Sequence, residues 1–169
     1  MIRVFLIGFS LFLSSALSGC GFTPLHQAVG SSAPLANINV DMLKGPSVVD
    51  NQAGFFVTQR LRERIGTQSE DAKYRLKITP SYRRSRLGIT DADVASRYDI
   101  RVSASWDLVD AKTGKSLKKG RTSSVTAFGA PDGPYGVITA DNVGVEQAAG
   151  ETADKLIVEL ARHFAADAK

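Results

Sequence analysis

The side chains with evident chemistry in this 169-residue chain are one cysteine, two histidines and a run of cations. Cys20 stands in ALSGCGFTPLH (residues 16–26), after an apolar stretch and before a glycine and an uncharged segment containing proline. A lone cysteine closes no intramolecular disulfide. Zinc sites draw on clusters of Cys and His, and the only histidines here are His26 and His163. His163 has no candidate nucleophile near it in sequence and, beside Phe164, reads as a boundary residue. Asp91 and Asp93 lie two apart in an expected loop, with no glycine-rich phosphate loop beside them, and read as solvated carboxylates. Neither a G-x-S-x-G elbow nor an H-E-x-x-H helix occurs. The chain is therefore expected not to be an enzyme and to use no cofactor or metal.

The residues ahead of Cys20 give its thiol another role. Arg3 is the only charge before Asp41, and the 14 residues Val4 to Leu17 form an apolar run that ends in Ser18 and Gly19. A positive start, an apolar centre and small residues at the end make a secretory signal. The run is too short for the roughly 20 residues that span a bilayer. Leu17-Ser18-Gly19-Cys20 resembles the bacterial lipoprotein box. The resemblance implies that Cys20 becomes the first mature residue and carries a diacylglycerol on its thiol, usually with a third chain such as palmitate on its amine. At about 0.8 kcal/mol per buried CH₂, two or more chains anchor stably. Gly21, where such lipoproteins commonly carry Asp for inner-membrane retention, favours the outer membrane. The expected organisation is a signal peptide at 1–19, a lipidated cysteine and flexible linker at 20–35, and a single domain at 36–169. Fully extended, the uncharged stretch 21–35 reaches at most about 50 Å.

The cations are unevenly placed. Residues 73–121 carry 13 basic and 5 acidic side chains, a local charge of +8 in a chain of +4. Arg75, Lys77 and Arg101 fall on the polar faces of expected strands. Arg83, Arg84 and Arg86 follow the first of these, and Lys118, Lys119 and Arg121 lie on the returning one. Converging on one sheet face, such residues attract phosphates through bidentate contacts and long-range field; dispersed, they only keep a sheet soluble. Nucleic acid is not expected as a partner of an exported chain. An anionic lipid or an acidic protein surface suits that compartment.

The elements that must position these residues follow from periodicity. LANINVDML contains a short strand around Ile38 and Val40. Positions 49, 53, 56, 57, 61 and 65 share one helix face, with Asp50 or Ser47 capping its start and Gly66 its end. Tyr74, Leu76 and Ile78 alternate with polar residues in a strand expected to end near Pro80. Tyr98, Ile100, Val102, Ala104, Trp106 and Leu108 alternate in register with Asp99, Arg101, Ser103, Ser105 and Asp107, the pattern of a strand with one wet face. DAKTGK reads as a hairpin loop with Gly114 in a left-handed conformation, and residues 116–128 return beside it. Positions 145, 148, 149, 152, 153, 156, 157, 160 and 164 form a second helical face, whose start Gly144 and Gly150 are expected to delay. The order β-α-β-β-β-α predicts an α+β two-layer sandwich. Two helices cover one face of a four-stranded, mostly antiparallel sheet, and the first strand reaches its neighbour in parallel through a crossover helix.

Gly19, Cys20, Gly21, Phe22, Pro24 and Leu25 of "GCGFTPL" resemble the start of mature lipopolysaccharide-assembly lipoproteins, the LptE family, as they occur in alphaproteobacteria; His26 departs from the tyrosine common there. RYDIRVSASWDLVDAKTGKSL is similar to the family's central hairpin, and PYGVITADNVGVEQAAGETADKLIVELARHF to its closing turn and helix. The resemblance implies two helices on a four-stranded sheet. It also implies an outer-membrane lipoprotein on the periplasmic side that assembles with the β-barrel LptD, plugs its lumen and binds lipopolysaccharide. On that basis Arg75, Lys77, Arg83, Arg84, Arg86, Arg101, Lys118 and Lys119 are candidate lipopolysaccharide-binding residues. The competing readings are an adaptor subunit of an ABC-type intermembrane lipid transporter and a purely structural outer-membrane lipoprotein.

Overall fold

The alternation in residues 98–108 produces the central strand of the domain. The computed structural model describes residues 34–66, 68–89, 95–129 and 133–167. The expected signal peptide, Cys20, His26 and the Asp91/Asp93 pair lie outside the described residues. Strand β3 (Ala95–Asp110) buries Ile100, Val102, Ala104, Trp106 and Leu108 to 3% exposure or less. Its antiparallel neighbours are β2 (Tyr74–Ile89) and β4 (Ser116–Gly129). Strand β1 (Ile38–Met42) runs parallel to the start of β2, giving the order β1-β2-β3-β4. A parallel pair needs a crossover, supplied by helix α1 (Val48–Ile65). Helix α2 (Pro134–Asp167) lies beside α1 on the same face. Gln52 reaches Asn142, and Arg60 meets Asp154 at 3.2 Å, so the two helices run in the same direction.

Each helix buries the stripe its sequence spaces out. From α1 these are Ala53, Val57, Leu61 and Ile65; from α2 they are Val145, Ala148, Ala149, Ala153, Leu156, Ile157 and Leu160. A 3₁₀ turn at Pro34–Asn37 precedes β1, and its Leu35 is already in the core at 1% exposure, so the folded body starts slightly ahead of residue 36. Ser47 caps α1 in a reciprocal box with Asp50, and Gly66 closes it with φ +106°. Gly114 takes φ +69° in the β3–β4 hairpin, where Asp110 accepts the Lys112 and Thr113 amides. None of the helices formed by the described residues is long and apolar enough to cross a membrane.

Two elements run further than the periodicity predicts. Strand β2 continues through Pro80 to Ile89. The Ile78 carbonyl accepts the Leu43 amide at 2.8 Å, so residues 78, 80 and 82 turn their backbone groups away from β3. Pro80 therefore lacks its N–H on the side where β1 has already ended, and no ladder bond is lost. Asp50 Oδ1 accepts the next outward amide, that of Tyr82, at 2.6 Å. Helix α2 begins at Pro134, directly after Gly133 at φ +81°; proline's fixed φ suits a first helical position. The helix continues through Gly144 because it passes very close to β3 there: a Cβ on Gly144 would lie 2.7 Å from Ile100 Cδ1.

Candidate functional site

The sheet face turned away from the helices collects most of the cations, and register assigns them to rows. One end row holds Asn39, Arg75, Val109 and Ser116. The next holds Asp41, Lys77, Asp107 and Lys119. Thr79, Ser105 and Arg121 follow, then Ser81, Ser103 and Ser123, then Arg83, Arg101 and Val125. Ser85, Asp99 and Ala127 and finally Leu87, Arg97 and Gly129 complete the face. Two basic groups thus flank a floor of small hydroxyl residues. With about 3.3 Å per residue, the row of Arg101 lies roughly 13 Å from that of Arg121.

Only part of this charge is neutralised. Arg75 meets Asp41 at 3.8 Å, Lys119 meets Asp107 at 3.4 Å and Arg97 meets Asp99 at 3.0 Å. Lys77, Arg83, Arg101 and Arg121 form no ion pair among the described residues. Arg83 and Arg101 are direct cross-strand neighbours, which places their Cβ atoms about 5 Å apart, and like charges so placed destabilise a sheet. An arrangement that costs stability and lacks a counter-charge suits an external anion, which would take up the idle guanidinium donors.

The eight sequence candidates divide between the two faces. Arg75, Lys77, Arg83, Arg101 and Lys119 share the outer face. Arg84, Arg86 and Lys118 alternate onto the helix side, opposite Ile100, Tyr98 and Leu108 respectively. Arg84 lies 3.3 Å from Asp141 on α2 and 5.6 Å from the centre of the Tyr98 ring, which stacks on Phe128. Tyr82 donates its hydroxyl to the same Asp141 oxygen at 2.9 Å. Burial first, and then that carboxylate, push the Tyr82 phenol well above its ordinary value. Arg84 thus ties sheet to helix, while Arg97 and Arg121 belong to the outer face. Arg97 is hidden because the alternation is readable only from Tyr98 onward, whereas Arg121 is placed on the returning strand by the sequence and its face alone is left open by the hairpin.

Two crevices lie elsewhere. The one between the helices is lined by Arg60, Glu63, Glu146, Glu151 and Asp154, a mostly negative wall unsuited to an anion. A second groove, between β4 and the first turns of α2, is apolar.

A family model described as LptE, lipopolysaccharide-assembly, matches residues 35–167. Curated protein sequences give no match. Among solved structures, a protein of Caulobacter crescentus CB15 described as a lipoprotein is 29% identical, with 79% of this chain and 94% of that one covered and a TM-score of 0.61. Rare lipoprotein B from Shewanella oneidensis is 15% identical, with coverages of 78% and 98% and a TM-score of 0.57. A protein of Xanthomonas campestris is 12% identical, with coverages of 78% and 86% and a TM-score of 0.53. At those identities the last two show a shared fold alone.

Proposed function

The chain belongs to the LptE family of lipopolysaccharide assembly, and from that premise we propose that it is an outer-membrane lipoprotein that binds lipopolysaccharide and assembles with the β-barrel LptD. Cys20 carries the lipid, and the linker holds the domain at the periplasmic leaflet. The domain sits in the barrel lumen, where a polar sheet face meets a polar wall. It acts by binding and not by catalysis.

The observation that carries the ligand assignment is Arg83 facing Arg101 with no acidic partner among the described residues. Lipopolysaccharide offers phosphates on lipid A and acids in its core, and the two basic groups with a hydroxyl floor between them suit a ligand with separated anionic groups. Removing the pair tests this directly. Arg83→Ser with Arg101→Ser is expected to weaken lipopolysaccharide binding at least about tenfold, since bonds to charged groups contribute about 1.5–3 kcal/mol each. The remaining binding should depend less on salt. Relief of the like-charge contact should leave the melting temperature unchanged or slightly raised. Unchanged affinity and salt dependence would remove the ligand from this face.

A further inference from the structure

Strand β4 is an open edge of the sheet, and its two halves differ in how they guard it. Residues 116–121 carry Lys118, Lys119 and Arg121, and their register with β3 shifts at Leu108/Val109. Charges and bulges of this kind keep an edge from pairing with another chain. Residues 122–129, TSSVTAFG, contain no charge and no proline, and their register is regular. One contact shows which way this backbone points: Lys155 on α2 donates to the Ser123 carbonyl at 3.1 Å. Residues 123, 125, 127 and 129 therefore turn their N–H and C=O groups outward. Those of Val125, Ala127 and Gly129 meet no backbone partner among the described residues.

Five side chains of this half, at 122 and 124–127, also reverse the sheet's polarity. Val125 and Ala127 lie on the outer face, with Val125 40% exposed. Thr122, Ser124 and Thr126 face the helices, and their hydroxyls have no hydrogen-bond partner among the described residues. The apolar groove runs alongside, lined by Thr126, Phe128, Tyr135, Thr139 and Val143. Tyr135 is 84% exposed and Val143 60%. Local rules broken together in one place mark a site selected for something other than stability.

We propose that the β4 edge at Thr122–Gly129 receives an extended segment of a partner polypeptide by β-strand addition. Alternate apolar side chains of that segment enter the groove. Its opposite face carries acidic residues, placed beside Arg121 and within reach of Arg101. Charge decides the occupant. A second copy pairing through the same edge brings only the uncharged residues 122–129 and no acid for Arg101 and Arg121, whereas an acid-bearing strand neutralises them. The inference rests on the reading that this chain works in complex with another protein.

The test uses the tagged full-length chain extracted from native membranes together with whatever accompanies it in equal amount. Backbone hydrogen exchange over residues 122–129 is compared between that complex and the chain released from it. The amides of Val125 and Ala127 are expected to exchange at least about tenfold more slowly in the complex. Ala127→Pro deletes an outward amide and leaves the β3 ladder intact, and Val125→Glu sets a carboxylate beside Arg101 that repels the acidic face of the incoming segment. Each is expected to reduce the recovered partner severalfold without lowering the melting temperature; if the proline lowers that temperature, the glutamate variant decides. A partner recovered without protection of 122–129, or indifferent to both changes, overturns the docking edge and leaves the assembly reading standing. A self-paired chain protected at 122–129 overturns the choice of partner in favour of a second copy. A chain recovered alone overturns both.

Discussion

Asp50 joins three parts of the molecule through one buried carboxylate. Its Oδ2 accepts from the Ser47 hydroxyl at 2.6 Å and the Ser47 amide at 3.1 Å, and its Oδ1 accepts the Tyr82 amide. It thereby closes the N-terminus of α1 and satisfies β2 where β1 no longer pairs with it. Burial raises its pKa, but the hydrogen bonds from the Ser47 side chain, the Tyr82 amide and the Ser47 amide outweigh that and hold it below 3.8. A carboxylate depressed in the folded state contributes stability that is complete above its ordinary value and is lost as pH falls through the folded one. Asp50→Asn is therefore expected to lower the urea midpoint at neutral pH by the equivalent of about 1–3 kcal/mol. The difference from the parent should shrink as pH drops below about 4. Equal midpoints at neutral pH would show that Asp50 is not the clasp. Alternation along β2 also separates the arginines: with Pro80 taken as a strand end, Arg83, Arg84 and Arg86 form one group in sequence. Continued pairing through proline assigns Arg83 to one face and the other two to the opposite one.

At the scale of elements, α2 is held at its distance from the sheet by the absence of a side chain at Gly144. The position above the fully buried Ile100 has no room for a larger residue. Gly144→Val is expected to destabilise by about 1–3 kcal/mol through overpacking. Gly144→Ala combined with Ile100→Val should recover most of that, because alanine favours helix over glycine by about 1 kcal/mol. Equal stability of Gly144→Val and the parent, in denaturant titration, would show that the helix shifts freely here. The glycine also explains what the sequence conceals. The α2 stripe from Val145 to Leu160 is legible because every third or fourth residue is apolar, and β3 because its alternation never slips. The helix start is not legible, since a glycine placed for close packing looks like one that interrupts a helix. The continuation of β2 depends on which backbone groups face an unpaired edge, a tertiary fact with no local signature. On β4 the rows depend on a register that the irregularity beside Leu108 shifts, so convergence of the cations could be read only from the paired strands.

The whole molecule separates its charge across two layers. The sheet exposes arginines and lysines on its outer face, while on the other side α2 presents Glu146 and Glu151 beside Glu63 and Asp154, which pair with Arg60 and Arg64 of α1. On the proposed reading, a tethered body polarised in this way would meet an anionic ligand with one face, and the linker would only have to keep that face close to its target. Tethering raises effective concentration without adding a contact. The folded core runs from Leu35 to Ala161, so the lipid proposed for Cys20 is expected to govern occupancy and not fold. A chain with Cys20→Ala, exported by a leader cleaved ahead of Gly21, should incorporate no palmitate and remain in the soluble periplasmic fraction with an unchanged melting temperature. Its affinity for lipopolysaccharide in solution should match the parent's, whereas its recovery with the barrel should fall at native expression and return as expression is raised. Equal recovery at native expression would mean that the contacts suffice without the tether. Recovery that no expression level restores would mean that the lipid itself takes part in the assembly.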